Sequence, residues 1–161
     1  MQVLSVGDHT TVVFTKVLDE LTRGVVDEDE DALAAPTDRS YWEGTATKET
    51  VSLADRMLKL LQRFDTALNL KYNKFYIGIE KDGQAFNFVK FRPKKTRINF
   101  EIKLPQTDQI DATIDDAGLD TLEYNKRYEI YKIRLTKDDI EGKEDILTKL
   151  SKQAYDHKIN P

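Results

Sequence analysis

The densest concentration of chemically usable side chains is the stretch from residue 90 to 103, where Lys90, Arg92, Lys94, Lys95, Arg97 and Lys103 stand against a single acid, Glu101. Cations at that density neutralise phosphates, and the interleaved Phe88, Phe91 and Phe100 add rings on which bases stack, so the run has the chemistry of a polyanion site. The same residues also describe a charged hairpin turn that keeps strand edges from pairing with other chains. Within the run, Glu101-Ile102-Lys103 has the Glu-x-Lys form in which metal-dependent nucleases place a carboxylate and a lysine around Mg²⁺. A second carboxylate would have to come from Asp82 upstream, and the Asp82-Gly83 pair reads as a tight turn at the far end of its strand. Strand alternation sets Glu101 and Lys103 on one face, where an exposed pair of opposite charge is the plainer reading.

Other chemistries have little material. The chain has no cysteine and two histidines, His9 and His157, far apart in sequence, so disulfides, thiolate catalysis and histidine-rich metal sites are not expected. Neither a Gly-x-Gly-x-x-Gly nor a Gly-x-x-x-x-Gly-Lys loop is present, which leaves nucleotide phosphates without a cradle. Asp108, Asp111, Asp115, Asp116, Asp120 and Glu123 are too irregularly spaced to wrap a Ca²⁺ ion, and their segment reads as a solvated loop. Tyr41-Trp42 offers two rings that can stack on a base or a ligand, and the favoured reading is that the pair packs beneath the start of a helix as a staple. No cofactor or metal is therefore expected, and no residue is assigned a catalytic role.

The elements that must position the basic run are legible from periodicity. The residues Val51, Ala54, Leu58, Leu61, Ala67 and Leu68 follow a helical stripe, with hydroxyls at Thr45 and Thr47 for capping and Glu49 at the positive end of the dipole, predicting a helix over 48–68. Residues 74–81 alternate Phe75, Ile77 and Ile79 inward against Tyr76, Gly78 and Glu80, and the Asp82-Gly83 turn leads into a return strand over 84–92. A third strand sets Ile98, Phe100, Ile102 and Leu104 against Arg97, Asn99, Glu101 and Lys103, and a fourth runs over 127–135. Thr136 and Asp139 cap an amphipathic helix that Gly142 divides into a short and a longer piece.

The predicted fold is α+β: an antiparallel four-stranded sheet, helices before and after it on one face, and the other face open and wet. Ahead of it, residues 2–6 and 10–18 read as a short hairpin about Gly7-Asp8, forming a segment 1–25. An acidic linker over 26–40 contains Asp27-Glu28-Asp29-Glu30-Asp31 and Pro36, and the α+β domain follows over 41–161. No apolar run is long enough to span a bilayer and the first residues lack the basic start of a secretory signal, so no membrane partner and a cytoplasmic location are expected. The formal net charge of −4 opposes wholesale nucleic-acid binding and confines any such binding to the local basic run.

The lead-in Leu70-Lys71-Tyr72-Asn73-Lys74-Phe75-Tyr76-Ile77-Gly78-Ile79, the segment Asn87-Phe88-Val89, the basic turn, the strand ending at Leu104-Pro105 and the Tyr128-Glu129-Ile130 strand together resemble an uncharacterised bacterial and archaeal domain family, sometimes labelled predicted transport proteins. Members stand at the C-terminal end of longer restriction- or nuclease-related proteins. The resemblance covers residues 40–158 and implies that the first 25 residues are the tail of a preceding region. It carries no activity and no site residue. The expectation is a non-enzymatic binding or accessory domain with weak nucleic-acid binding through Lys90, Arg92, Lys94, Lys95, Arg97 and Lys103. Two alternatives stay open: a module for self-association or for contact with a longer parent protein, and a metal-dependent nuclease using Glu101 and Lys103.

Overall fold

The computed structural model describes residues 2–6 and 9–13 by their backbone and residues 36–161 in full, and divides the chain into two compact units, Met1–Leu33 and Ala34–Pro161. In the first unit β1 (Gln2–Val6) pairs antiparallel with β2 (His9–Val13), Val6 opposite His9. This is the expected hairpin; residues 14–18 of its second strand and the acidic linker up to residue 35 lie outside the described residues.

The second unit opens with Pro36 bridged to Asn73 and the Thr37 N–H donating to the Tyr72 carbonyl, so residues 36–40 already belong to it. Two helices follow, α1 (Arg39–Thr45), capped by Asp38, and α2 (Lys48–Leu61). Thr47 and Thr50 form a reciprocal capping box at the start of α2 with Glu49 in its first turn, each satisfying backbone groups that a helix end leaves orphaned. Val51, Leu53, Ala54, Met57, Leu60 and Leu61 on α2 are buried, the larger of them stabilising by about 1.5–3 kcal/mol each.

The helix ends at Leu61, seven residues short of the prediction. Arg63 and Phe64 donate to the Leu60 and Leu61 carbonyls in tightened turns, and the Asp65 carboxylate accepts from the Ala67 N–H, a local bond that turns the chain. Leu68 continues the apolar stripe because it is the first buried residue of a strand, β3 (Leu68–Tyr72), which sequence periodicity had merged into the helix.

The sheet has seven strands rather than four. Its path is β3, β4 (Ile77–Lys81), β6 (Val89–Pro93), β7 (Ile98–Lys103), β9 (Ile130–Leu135) and β8 (Asp120–Thr121), with β5 (Gln84–Ala85) also paired to β4, all antiparallel. The return strand expected over 84–92 is two pieces. Between them the Asn87 Oδ1 accepts the Ile79 N–H at 2.8 Å, a side chain taking the place of a ladder carbonyl.

The acidic segment 108–123 is ordered structure, not a solvated loop: Thr107 caps α3 (Asp108–Asp116), whose Ile110 and Ile114 join the core, and β8 follows. Asp108 and Asp111 occupy the first turn of α3, where the helix dipole favours negative charge. After β9, the Thr136–Asp139 capping box starts α4 (Lys137–Gly142), and α5 (Glu144–Ile159) begins past Gly142 as predicted.

One sheet face is apolar. Phe91, Phe100 and Ile133 lie level across β6, β7 and β9, as do Val89, Ile102 and Tyr131, and they share a core with α2, α4 and α5. Phe91 and Phe100 stack at 5.5 Å between centroids. The polar residues between them face the other way.

Candidate functional site

Strand register lays the polar face out in rows. Lys90 lies opposite Glu101 and Glu101 opposite Lys132; one step along, Arg92, Asn99, Arg134 and Asp120 are level; Lys103 stands beside Ile130. Paired residues in antiparallel strands project to the same side, so Lys90, Arg92, Lys103, Lys132 and Arg134 share a face with two carboxylates, Glu101 and Asp120.

Glu101 is not the exposed wet-face acid that alternation suggested. It is 5 % exposed, and the Arg92 guanidinium holds both its oxygens, Nε to Oε1 at 2.8 Å and Nη2 to Oε2 at 3.5 Å. A buried carboxylate needs such a partner, because losing water without a compensating charge is costly. Lys103 on the same strand is exposed, so the Glu-x-Lys pair divides into a structural anion and a surface cation. The depression beside them, lined by Asn87, Lys90, Glu101, Lys103 and Ile130, holds about 20 Å³. Among the described residues no group of three His, Cys, Asp or Glu residues is arranged to hold a metal ion.

Gly78 shapes the neighbouring part of this face. Its position opposite the core leaves no side chain there, and the space is filled by Tyr76 and Asn87: a Cβ on Gly78 would stand 2.3 Å from Asn87 Oδ1 and 2.9 Å from Tyr76 Cε2. Tyr76 is therefore 1 % exposed and Phe75 47 % exposed, the reverse of the inward Phe75 that alternation predicts. The strand begins only at Ile77; residues 73–76 are its turn, closed by the Asn73 N–H donating to the Tyr76 carbonyl at 3.0 Å, and strand alternation does not extend into it. Lys90 Nζ lies 4.3 Å from the Tyr76 ring centroid, a cation–π contact over a desolvated ring.

The register also decides what neighbours the basic turn. Tyr72 pairs Ile77, Ile77 pairs Phe91 and Pro93 pairs Ile98, so the turn over 73–76 and the turn over 94–97 close adjacent strands at the same end of the sheet. Arg92 ties them together, its Nη1 donating to the Phe75 carbonyl at 2.8 Å. Lys74, Phe75, Lys94, Lys95, Thr96 and Arg97 are all exposed at this end. Lys95 Nζ reaches the Ala46 carbonyl at the end of α1 at 3.5 Å, where the helix dipole is negative.

The six basic residues named from sequence thus fall into two groups. Lys90, Arg92 and Lys103 lie on the sheet face, the first two engaged with Tyr76 and Glu101; Lys94, Lys95 and Arg97 form the turn. Lys132, Arg134, Lys74 and Phe75 are brought beside them by pairings that no local pattern signals. The side chains of Lys74, Lys94, Arg97, Lys103 and Lys132 make no ion pair or hydrogen bond among the described residues. Phe88, Phe91 and Phe100, the rings interleaved with the basic run, are 1 %, 0 % and 0 % exposed and offer no stacking surface.

No helix among the described residues is long and apolar enough to cross a membrane. Comparison with protein-family models, curated proteins and solved structures gives no match.

Proposed function

We infer that the protein is a non-enzymatic binding domain whose turn end and polar sheet face hold nucleic acid through its phosphates. The observation that carries this reading is that Lys74, Lys94, Arg97, Lys103 and Lys132 lie on one face and its turn with no carboxylate partner among the described residues. Several cations elsewhere are matched, Arg39 with Asp55 and Glu43, Arg56 with Glu141, Arg63 with Glu144, Lys143 with Asp139 and Lys152 with Asp156, whereas the other cations without a carboxylate among the described residues, such as Lys48, Lys59, Lys126 and Lys149, stand outside this face. A net-acidic chain that gathers five uncompensated cations on one face and its turn creates a local positive field inside a repulsive one. Binding through such a field is weak, salt-dependent and indifferent to sequence, because lysines on turns and strands meet phosphates and read no base edges.

Two further features agree with the reading. A chain without cysteine suits a reducing, cytoplasmic setting. The resemblance to domains that accompany restriction- or nuclease-related regions suits an accessory role on nucleic acid.

The test is fluorescence anisotropy with labelled DNA at rising salt. Wild type is expected to bind with micromolar or weaker affinity at low salt and to lose it steeply, while Lys94→Ala, Lys95→Ala and Arg97→Ala combined removes most of the binding and lowers the slope of log K against log salt by about 0.7–0.9 per lost phosphate contact. No binding by the wild type, or equal binding by the triple variant, overturns the reading.

A further inference from the structure

The turn end offers one thing that phosphate contacts do not need, an exposed aromatic ring. Phe75 is 47 % exposed in a turn fastened on both sides. Its carbonyl accepts from Arg92, the preceding Asn73 carbonyl accepts the Trp42 Nε1–H at 2.9 Å, and the Asn73 N–H closes the turn on Tyr76. A single exposed phenylalanine is ordinary on a protein surface. This one is distinguished by its surroundings: Lys74 Nζ lies 5.8 Å from its ring centroid, and Arg92 and the turn bearing Lys94 and Arg97 close the adjacent strand at the same end of the sheet.

Resting on the nucleic-acid reading, we propose that the ligand is single-stranded and that Phe75 is the platform on which one of its bases stacks while the surrounding cations hold the adjoining phosphates. In a duplex the base faces are already covered by their neighbours and only edges are offered, so a ring held in a turn gains nothing from them. In a single strand each base presents a free face, and stacking on an aromatic side chain adds to the electrostatic term without sequence preference. Because the backbone beneath the ring is already held, binding has only the two side-chain torsions of Phe75 to order. Two neighbouring rings are already committed: Tyr76 lies under Lys90, and the Trp42 ring is buried with its N–H given to Asn73.

The experiment uses the full chain and three probes at low salt: a labelled oligothymidine of about 15 nucleotides, a duplex of the same length, and unlabelled polyglutamate as a competitor that supplies anions without bases. The wild type is expected to favour the oligothymidine over the duplex, with polyglutamate competing poorly. Phe75→Ala, which leaves the Arg92 bond to the residue-75 carbonyl available, is expected to weaken oligothymidine binding about fivefold or more, to leave duplex binding within about twofold, and to keep the salt slope, since no charge is removed. Phe75→Trp is expected to retain affinity and to show its indole emission quenched by the oligothymidine. Failure of the wild type to bind either nucleic acid overturns this proposal together with the reading beneath it. Binding that Phe75→Ala leaves unchanged, or weakens equally for both nucleic acids, overturns the stacking platform alone, as does equal competition by polyglutamate.

Discussion

The two ends of the sheet carry similar residues and use them in opposite ways. Where β4 ends at Lys81, its ammonium is locked between Asp65 Oδ2 at 2.6 Å and the Tyr155 hydroxyl at 3.1 Å, and that hydroxyl donates to the same carboxylate at 2.6 Å. Around this triad the rings of Phe64, Phe86 and Phe88 meet Tyr155 edge-on, with centroids 5.2, 5.7 and 5.4 Å away. Where β4 begins, Lys74, Lys94 and Arg97 have no carboxylate partner among the described residues, and Phe75 is half exposed. Lysines and phenylalanines hold α5, β4 and the α2–β3 connection together at the first end; at the second, the same residue types contribute little to the fold and remain available. A basic or aromatic residue is thus read for function by what its charge or ring already touches, and composition alone does not separate the two cases.

The largest expected effect that sharpens this contrast is Phe88→Ala at the locked end. It removes a fully buried ring from both the aromatic cluster and the core and is expected to cost about 3–5 kcal/mol in urea denaturation. A loss below about 1 kcal/mol would show that the cluster is not the tie described.

Next comes the acid limb of stability. The Lys81 ammonium, then the Tyr155 hydroxyl and the Ala67 N–H, hold the Asp65 carboxyl down at about 2, from an ordinary 3.8. A depressed carboxylate contributes stability that is present above its unfolded value and is lost as pH falls through its folded value. Asp65→Asn is therefore expected to be less stable than wild type at neutral pH, with the gap closing between about pH 4 and pH 2. Denaturation curves that stay parallel through that window would mean that the triad does not favour the ionised acid. Asp139 and Glu141, lowered as well by their own partners, titrate in both proteins and leave the difference intact.

The smallest expected effect is Phe75→Ala at the open end, within about 0.5 kcal/mol of wild type in the same assay. A loss of 2 kcal/mol or more, roughly the cost of emptying a packed site, would make Phe75 a structural residue and erase the contrast between the two ends.

Much of the fold follows from local chemistry and is readable without the tertiary structure. Alternation along Ile98, Phe100 and Ile102 places these residues on the core face because a strand has only two sides; Thr47 and Thr136 start helices because their hydroxyls satisfy orphaned N–H groups three residues on. Asp82 and Gly83, at φ 52° and 77°, make the turn that their residue types allow, and Gly142 divides the last helical stretch. Two features differ from the sequence reading because a local pattern extends past the element that produces it, and a third because a run of acids conceals a helix. Leu68 sits in phase with α2 but belongs to β3, Phe75 sits in phase with β4 but belongs to its turn, and the acids of 108–116 look like a loop until Ile110 and Ile114 are seen to face the core.

The candidate site divides the same way. That Lys90, Arg92, Lys94, Lys95, Arg97 and Lys103 form one basic run is legible from the chain alone, since they are neighbours along it. Strand pairing is what gives Arg92 to Glu101 and the Phe75 carbonyl, brings Lys132 and Arg134 to the face from β9, and sets the 73–76 turn beside the 94–97 turn. Periodicity states which side of a strand a residue faces but not which strand lies next to it. Adjacency is set by the joint burial of side chains far apart in sequence, and no window of neighbouring residues contains that information.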